Sequence, residues 1–591
     1  MVNQFYFYLQ INKQMKNIHI KIVVVSFLIL LNACTKIDQQ IYDTQTTTDV
    51  KTQSDVEVAI IGVYSQFTAW NGFKAQFPNV VCPYADDLSS IQGASSSIWG
   101  TKTTLNSGIG DVLSIWSRYY SAISNANAVI GYANSLTSLS PTYQAQARAE
   151  GKFLRGLSYF YLVQYFGGVP LITSVVNYQT NFQVPRSSVD SVYQLIFSDF
   201  SEGVTSLPLR SAQPTSQYNR ATQGAAQGFL AKAYLTYANY LDLNNRSSEA
   251  QKYYDSAKNA ATAVINSNQY ILLSDFAKLW DVNNKTNAYN EVIFGISYTR
   301  DYTVTDVTSN GNGFATAFNP LSRSNISGRL PNHNGLGYIK VHPWFYDKYT
   351  NVSAFPSAAD YANVKDTDYR VQTSFLTSWI QSSTNASNGL TCVTYPYKPG
   401  PASNYYLCES QPYINKYIDP NGVASGDNAN DLFLLRYSEI YLILAEAENE
   451  MNGPTTTSLV AFNLVRQRAR KANGVAHTYP VDLTAAAVPT KEAMRMKIFD
   501  ERGLEFVGEM NRWFDLVRMR YSDNAQTMYQ YQFGTFLPTL TSGLPVYKNK
   551  VWSTGRTEAS NIIPFDRKYM LFPIPANETA VNPKLTQNPE W

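Results

Sequence analysis

The chain has 591 residues, 44% hydrophobic and only 15% charged, against about a quarter charged in an average soluble domain. With 43 Tyr, 29 Phe and 9 Trp, the composition excludes a disordered chain, which needs high charge and few aromatics. A net charge of +3, from 47 basic and 44 acidic residues, offers no basic excess of the kind nucleic acid requires.

The first predicted element is a leader. Lys13, Lys16 and Lys21 precede an apolar run from Ile22 to Leu31. A positive stretch, then about 7 to 15 apolar residues, then small ones, is a secretory signal, too short for a stable spanning helix. Met15 offers an alternative start. Leu31-Asn32-Ala33-Cys34 resembles a bacterial lipobox with Asn32 as its imperfect position, so residues 1–33 are read as signal and Cys34 as the acylated residue. A lipid holds a protein on a bilayer without threading it. Residues 34–54, rich in Thr and Gln, read as the tether. No later apolar run reaches about 18 residues, so no spanning helix is predicted beyond the leader.

Residues 55–280 carry helical periods. The first helix is expected to open at a Ser54–Asp55 cap, with Val56, Ile60, Val63 and Phe67 on one face. The next runs from Asp111 to Leu136 with a stripe of Leu113, Trp116, Tyr120, Ile123 and Ala126. Ser140 then caps a helix with Pro141 at its first position, ending at Gly167-Gly168. Its far half, Phe153 to Phe166, is apolar on nearly every side, the mark of a buried helix. Val189 to Leu207, Ala221 to Leu241 and Ser247 to Ser267 follow. In the second of these, Gly224, Ala225 and Gly228 permit close approach. Long helices joined by short turns predict stacked hairpins of the tetratricopeptide kind, an α-superhelix by pattern though without the usual signature.

Residues 281–430 change texture. They are rich in Asn, Ser, Thr, Gly and Tyr, with short strand-like pieces such as "EVIFGISY". A stretch this long without periodicity is functional or disordered, and Trp344, Phe345 and Trp379 speak against disorder. It is read as a loop-rich ligand-binding insert. Helices return over residues 431–591: Asp431 to Glu450, a second ending at Gly474, and a third from Lys491 to Arg520. Past the leader the cysteines are Cys82, Cys392 and Cys408. The last two flank a turn-rich stretch and are a possible disulfide in an oxidising compartment. There is no Cys-x-x-Cys to suggest metal or redox chemistry.

"AEGKFLRGLSYFYLVQYFGGVPLI", "LLRYSEIYLILAEAENE", "AFNLVRQRAR", "IFDERGLEFVGEMNRWFDLVR" and "LFPIPANETAVNPKLTQNPEW" resemble the SusD/RagB family in sequence and in order. That family comprises surface lipoproteins of Bacteroidota that capture nutrients for a SusC-like TonB-dependent outer-membrane barrel. The resemblance implies a mainly α fold, a tetratricopeptide-like scaffold carrying a loop-rich insert with short strands, and a site built from the insert and an N-terminal stretch. It also implies outer-membrane localisation facing the exterior. Many relatives carry acidic residues soon after the lipid cysteine; Thr35-Lys36-Ile37-Asp38 departs from that.

The candidate chemistry is sparse. Glu501, Glu505 and Glu509 share a helix face, yet no histidine accompanies them as a carboxylate metal site would need. With Arg436, Arg466, Arg468, Arg470, Arg502 and Arg512 nearby, an ion-pair network is the better reading, and the same holds for Glu439 and Glu446. No catalytic motif of a metalloprotease, a serine hydrolase or a P-loop is present. Asp86-Asp87 is a poor acid/base pair, since adjacent residues point apart, and "DTDYR" (Asp366 to Arg370) lacks the glycine and distal Glu of a calcium loop. What remains is a mixture of rings with Asp and Asn, suited to the apolar faces and hydroxyl rims of sugars. One group is Trp70, Phe73, Asp86, Asp87 and Trp99; the other is Tyr302, Trp344 and Tyr346. The expected function is capture of an oligosaccharide for the barrel, without catalysis, cofactor, metal or nucleic acid. A peptide-binding relative, a surface glycoside hydrolase and a structural adhesin are the rival readings.

Overall fold

The structure of the protein is a computed structural model. It describes residues 50–90, 94–175, 183–300, 311–320, 335–349, 368–383, 386–394, 405–407, 411–421, 428–472, 474–523, 525–540, 546–548, 551–553 and 565–591. Met1–Lys51 and Thr52–Trp591 are separate compact units, and the described helices and strands belong to the second. The leader, Cys34 and most of the tether lie outside the described residues, as do Tyr302 and Cys408. Of Cys392 only the strand backbone is described, so the lipidation and disulfide expectations fall outside as well.

The scaffold opens with α1 (Gln53–Thr68), α2 (Gln76–Tyr84) and α3 (Ala94–Thr101). The cap of α1 is Thr52 rather than Ser54: its hydroxyl accepts the Asp55 N–H at 3.3 Å while Asp55 Oδ2 accepts the Thr52 N–H at 2.8 Å, a capping box. Val56, Ile60, Val63 and Phe67 are buried as their spacing predicts. In α4 (Gly110–Ser135) the buried stripe runs through Ile115, Trp116, Tyr119, Ile123 and Ala126, while Leu113 and Tyr120 are only half-buried. The helix is clasped between α1 and α5 (Pro141–Phe166), and that sandwich rotates its buried face. Ser140 caps α5 and Gly167, at φ 72°, ends it, a backbone angle glycine adopts without Cβ strain.

Next come α6 (Val189–Ser206), α7 (Gln223–Leu243) and α8 (Ser247–Asn266), each packed on the helix before it. The result is the stack of helical hairpins expected from the sequence. The small residues of α7 admit close neighbours of two other kinds. A Cβ on Gly224 would lie 2.4 Å from the Tyr270 hydroxyl, and one on Gly228 2.6 Å from Leu435 Cδ2.

Leu435 belongs to a strand, which corrects the reading of Asp431 to Glu450 as one helix. β9 (Leu432–Arg436) pairs antiparallel with β2 (Val292–Ile296), and α9 (Tyr437–Asn452) starts only after it. Both strands are buried along their whole length, and a short continuous apolar run is as consistent with a buried strand as with a helix. The pair closes the insert at its base. Within the insert lie β3 (Lys340–Val341), β4 (Phe375–Leu376), β5 (Ser378–Ser383), β6 (Ala386–Val393), β7 (Tyr405–Leu407) and β8 (Tyr413–Ile414). They form small sheets of two or three strands, in one of which β3 pairs with β1 (Leu88–Ser89) of the N-terminal side.

After α9 come α10 (Thr456–Ala469) and α11 (Lys491–Phe506). The expected single helix from Lys491 to Arg520 is broken. Gly508 and Met510 take φ of 76° and 64°, and α12 (Arg512–Arg518) starts afresh. The break turns the chain so that Arg512 reaches Asp86, 2.7 Å away on the N-terminal side of the fold.

Glu501 and Glu505 of α11, with Glu509 in the turn that follows it, form the expected ion-pair network. Arg370 bonds Glu501 and Glu505 at 2.7 and 2.9 Å. Arg436 bonds Glu505 and Glu509, both at 2.8 Å, and Glu291 at 3.0 Å. Arg468 joins Glu291 at 2.7 Å and also Glu505, and Lys416 meets Glu509 at 2.7 Å. Burial raises the Glu505 pKa, but Arg468, Arg436 and Arg370 outweigh it and hold the carboxyl well below its ordinary value. Glu439 and Glu446 are paired too, the first with Arg502 (2.7 Å) and Lys232 (3.1 Å), the second with Arg518 (2.5 Å). Removing one partner strands the others in a low-dielectric interior, at a cost of about 3–5 kcal/mol. Glu505→Gln is therefore expected to lower the unfolding free energy by about that much. Arg246→Ala, breaking the solvent-screened pairs with Glu249 and Asp190, is expected to cost far less. Urea unfolding of the two variants checks this; equal effects would mean that the network carries no special weight.

Candidate functional site

The two ring-rich stretches singled out from the sequence meet. At the N-terminal side the chain makes a wide helical turn over Trp70–Lys74. Against it lies the insert segment beginning at Asn312. The Gly313 N–H donates to the Lys74 carbonyl at 2.9 Å. A Cβ on Gly313 would sit 3.2 Å from Trp70 Cη2, so the indole rests on bare backbone. The Lys74 ammonium lies 6.0 Å from that ring. Further along, β1 and β3 align Leu88 with Val341 and Ser89 with Lys340, and the His342 N–H donates to the Asp87 carbonyl at 3.0 Å. The helix Phe314–Phe318 ties the two ends together: Leu336 N–H reaches Thr316 O at 3.1 Å and Ile339 N–H reaches Ala317 O at 2.9 Å. The seam thus runs from Trp70 through Gly313 and residues 335–342 to Ser89.

The expected ligand residues take different places in it. Trp70 is half-exposed. Phe73 and Trp99 are fully buried: Phe73 packs edge-on to Phe77 at 4.9 Å, and Trp99 lies 4.7 Å from Phe572 with its N–H on Asp111 at 2.9 Å. Trp344 and Tyr346 are 6% and 7% exposed, against Phe536 and Phe375. None of these four presents a free ring face. Asp86 is clamped by Arg512 through both its oxygens, at 2.7 and 2.9 Å. Asp368 and Arg370 of the "DTDYR" stretch likewise bond each other. Sequence reading missed Tyr338 and His342, half-exposed on β3's flanks, and Ser89 opposite. The signal was there: "GYIKVH" alternates Tyr338, Lys340, His342 with the buried Ile339 and Val341, the period of a strand.

Under the seam sit two ionisable groups at odds with their surroundings. Asp87 is buried, and neither carboxylate oxygen has a hydrogen-bond partner among the described residues. Burial and the neighbouring Asp86 push its pKa up to about 7, with Arg512 and His342 opposing. Lys102, with φ at 58°, holds its ammonium 4.5 and 4.6 Å from the Tyr84 and Phe533 ring centres. Burial pushes its pKa down to about 7 against the pull of Asp86.

This architecture, a helical-hairpin scaffold with an irregular insert docked on its N-terminal turn, is that of a known class of outer-membrane-associated binding proteins. The chain belongs to the SusD family: the family model described as "SusD family" matches residues 290–591, and one described as "Starch-binding associating with outer membrane" matches residues 37–235. "SusD-like protein P2" of Formosa agariphila is 27% identical over 485 residues, covering 80% of this chain and 84% of its own. A SusD homologue from Bacteroides thetaiotaomicron superposes with a TM-score of 0.70 at 22% identity, over 91% of this chain and 97% of its own. A structure described as a laminarin-binding SusD-like protein gives 0.63 at 20% identity, over 92% and 100%. Among the described residues no helix is long and apolar enough to cross a membrane.

The two misfit groups set a pH dependence. Asp87 binds its proton more tightly folded than unfolded, so its contribution is full below about pH 4 and is lost as pH rises to about 7. Lys102 binds its proton less tightly folded; it destabilises fully below about 7, and that penalty is relieved as pH rises toward 10.5. Together they place a stability minimum near neutrality. Asp87→Asn is expected to raise the unfolding midpoint at pH 8 but not at pH 4, and Lys102→Met to raise it at pH 6 more than at pH 10. Thermal unfolding across this range reads both; parallel shifts at every pH would contradict the assignment.

Proposed function

We propose that the protein captures oligosaccharides at the seam between its N-terminal turn and its insert, and hands them to a SusC-like TonB-dependent barrel. On this reading it is moored to the outer membrane by acyl chains on Cys34 and faces the exterior, with scaffold, insert and C-terminal region dividing near residues 280 and 430. The observation that carries it is the half-exposed Trp70 ring laid on the Gly313 backbone, where two distant stretches of a SusD-family chain meet. A flat ring of this kind suits the C–H face of a sugar, with the hydroxyls of Ser89 and Tyr338 nearby along the seam. Tyr and Trp provide such area at small entropic cost. The starch-binding description of the matching N-terminal model and the laminarin-binding neighbour support the ligand class.

The carboxylates support capture without cleavage. Glycoside hydrolysis uses two carboxyl groups facing the scissile bond. Asp86 is engaged with Arg512 and Asp87 is buried beneath the seam, so this pair does not offer that arrangement.

Affinity gels and calorimetry with laminarin- and starch-derived oligosaccharides test the reading. Retention without new reducing ends is expected. Trp70→Ala is expected to weaken binding about tenfold, equivalent to about 1.4 kcal/mol, with the thermal midpoint little changed. New reducing ends, or binding indifferent to Trp70→Ala, would overturn it.

A further inference from the structure

Away from the seam lies a cleft of about 630 Å³, within the roughly 300–1,000 Å³ of typical ligand sites. It opens between the C-terminal ends of α5 and α7, the start of α6, α12 and the chain's last residues. It shares no lining residue with the seam. We propose that this cleft is a second saccharide site.

Its walls have the mixed character a neutral sugar needs. Tyr240 supplies a half-exposed ring, and Tyr193 lines the wall. Tyr193 is 3% exposed, held 4.8 Å from the Tyr237 ring, and its hydroxyl has no hydrogen-bond partner among the described residues. A hydroxyl that lines a cleft without a protein partner is open to hydrogen-bond with what enters. Two carboxamides are half-used in the same way. Gln164 donates its N–H to Phe160 O at 2.8 Å, and its oxygen has no partner among the described residues. The Gln530 oxygen accepts the Thr527 N–H at 2.8 Å, and its NH₂ has no partner among the described residues. Between them Val163, Leu243, Val517 and Leu571 give apolar surface. The result is one acceptor, one donor pair and an unfilled hydroxyl around aliphatic and aromatic walls.

Charge does not favour an ion. Arg518, at the floor, is neutralised by Glu446 and Asp515 at 2.5 and 2.8 Å. Lys568 sits 3.5 Å from Asp566, and Arg567 shares the rim with Glu590. The rim is also strained: Ala525 and Glu590 hold φ of 59° and 72°. Non-glycine residues in that region cost energy and cluster at ligand sites.

The cleft and the seam share only a ligand class, and one experiment separates them. Laminaritriose and maltotriose are titrated by calorimetry into the full chain, Trp70→Ala, Tyr240→Ala and Tyr193→Phe. The expected result is two binding events for at least one trisaccharide. Tyr240→Ala removes one event and Tyr193→Phe weakens that same event about tenfold, while Trp70→Ala affects only the other. Tyr240 is half-exposed, and unchanged melting of its variant is checked alongside. If Trp70→Ala abolishes all binding and Tyr240→Ala none, the cleft proposal fails and the seam reading stands. If Tyr240→Ala abolishes all, the reverse holds; if neither trisaccharide binds, both fall.

Discussion

The carboxylates of Glu501, Glu505 and Glu509 are the constraint around which the chain is arranged. Glu501 and Glu505 on α11 and Glu509 in the turn beyond it are buried, where an unpaired charge is ruinous. Their partners come from everywhere except α11 itself: Arg370 and Lys416 from the insert, Arg436 from the strand that closes it, Arg468 from α10. Glu291, just before β2, takes the remaining donors of Arg436 and Arg468. Each bond satisfies a charge and at the same time ties one end of the insert to the scaffold. A network of this kind contributes less to net stability than its contact list suggests. Its effect is to admit only one docking of the insert, because any other leaves charges bare.

That fixed docking creates the seam. With the insert's base held at β2 and β9, the segment from Asn312 lies where Gly313 can take the Trp70 ring and Lys340–Val341 can pair with Leu88–Ser89. The aromatic residues follow the same division. Most were absorbed into the interior, as Phe73, Trp99 and Trp344 were, because a scaffold poor in charge fills its volume with rings. Among those left half-exposed, Trp70 and Tyr338 stand where the insert meets the N-terminal turn, and Tyr240 where α7 faces the chain's last residues.

The sequence by itself determined the helices whose apolar period and caps agree, such as Pro141–Phe166 between Ser140 and Gly167. It also determined that the carboxylates of residues 501 and 505 would share a face, because four-residue spacing on a helix is local geometry; Glu509, expected on the same face, lies past the end of that helix. Family membership was legible in the order of its motifs, and the texture change of the insert in its composition. Only the tertiary structure decided that Leu432–Arg436 is a strand, since its four consecutive apolar residues fit either period until β2 lies beside them. It alone broke the last helix at Gly508 and Met510 to send Arg512 to Asp86. And it alone sorted half-exposed rings from core rings: a tryptophan's burial depends on residues hundreds of positions away, and no local pattern encodes which of them will arrive.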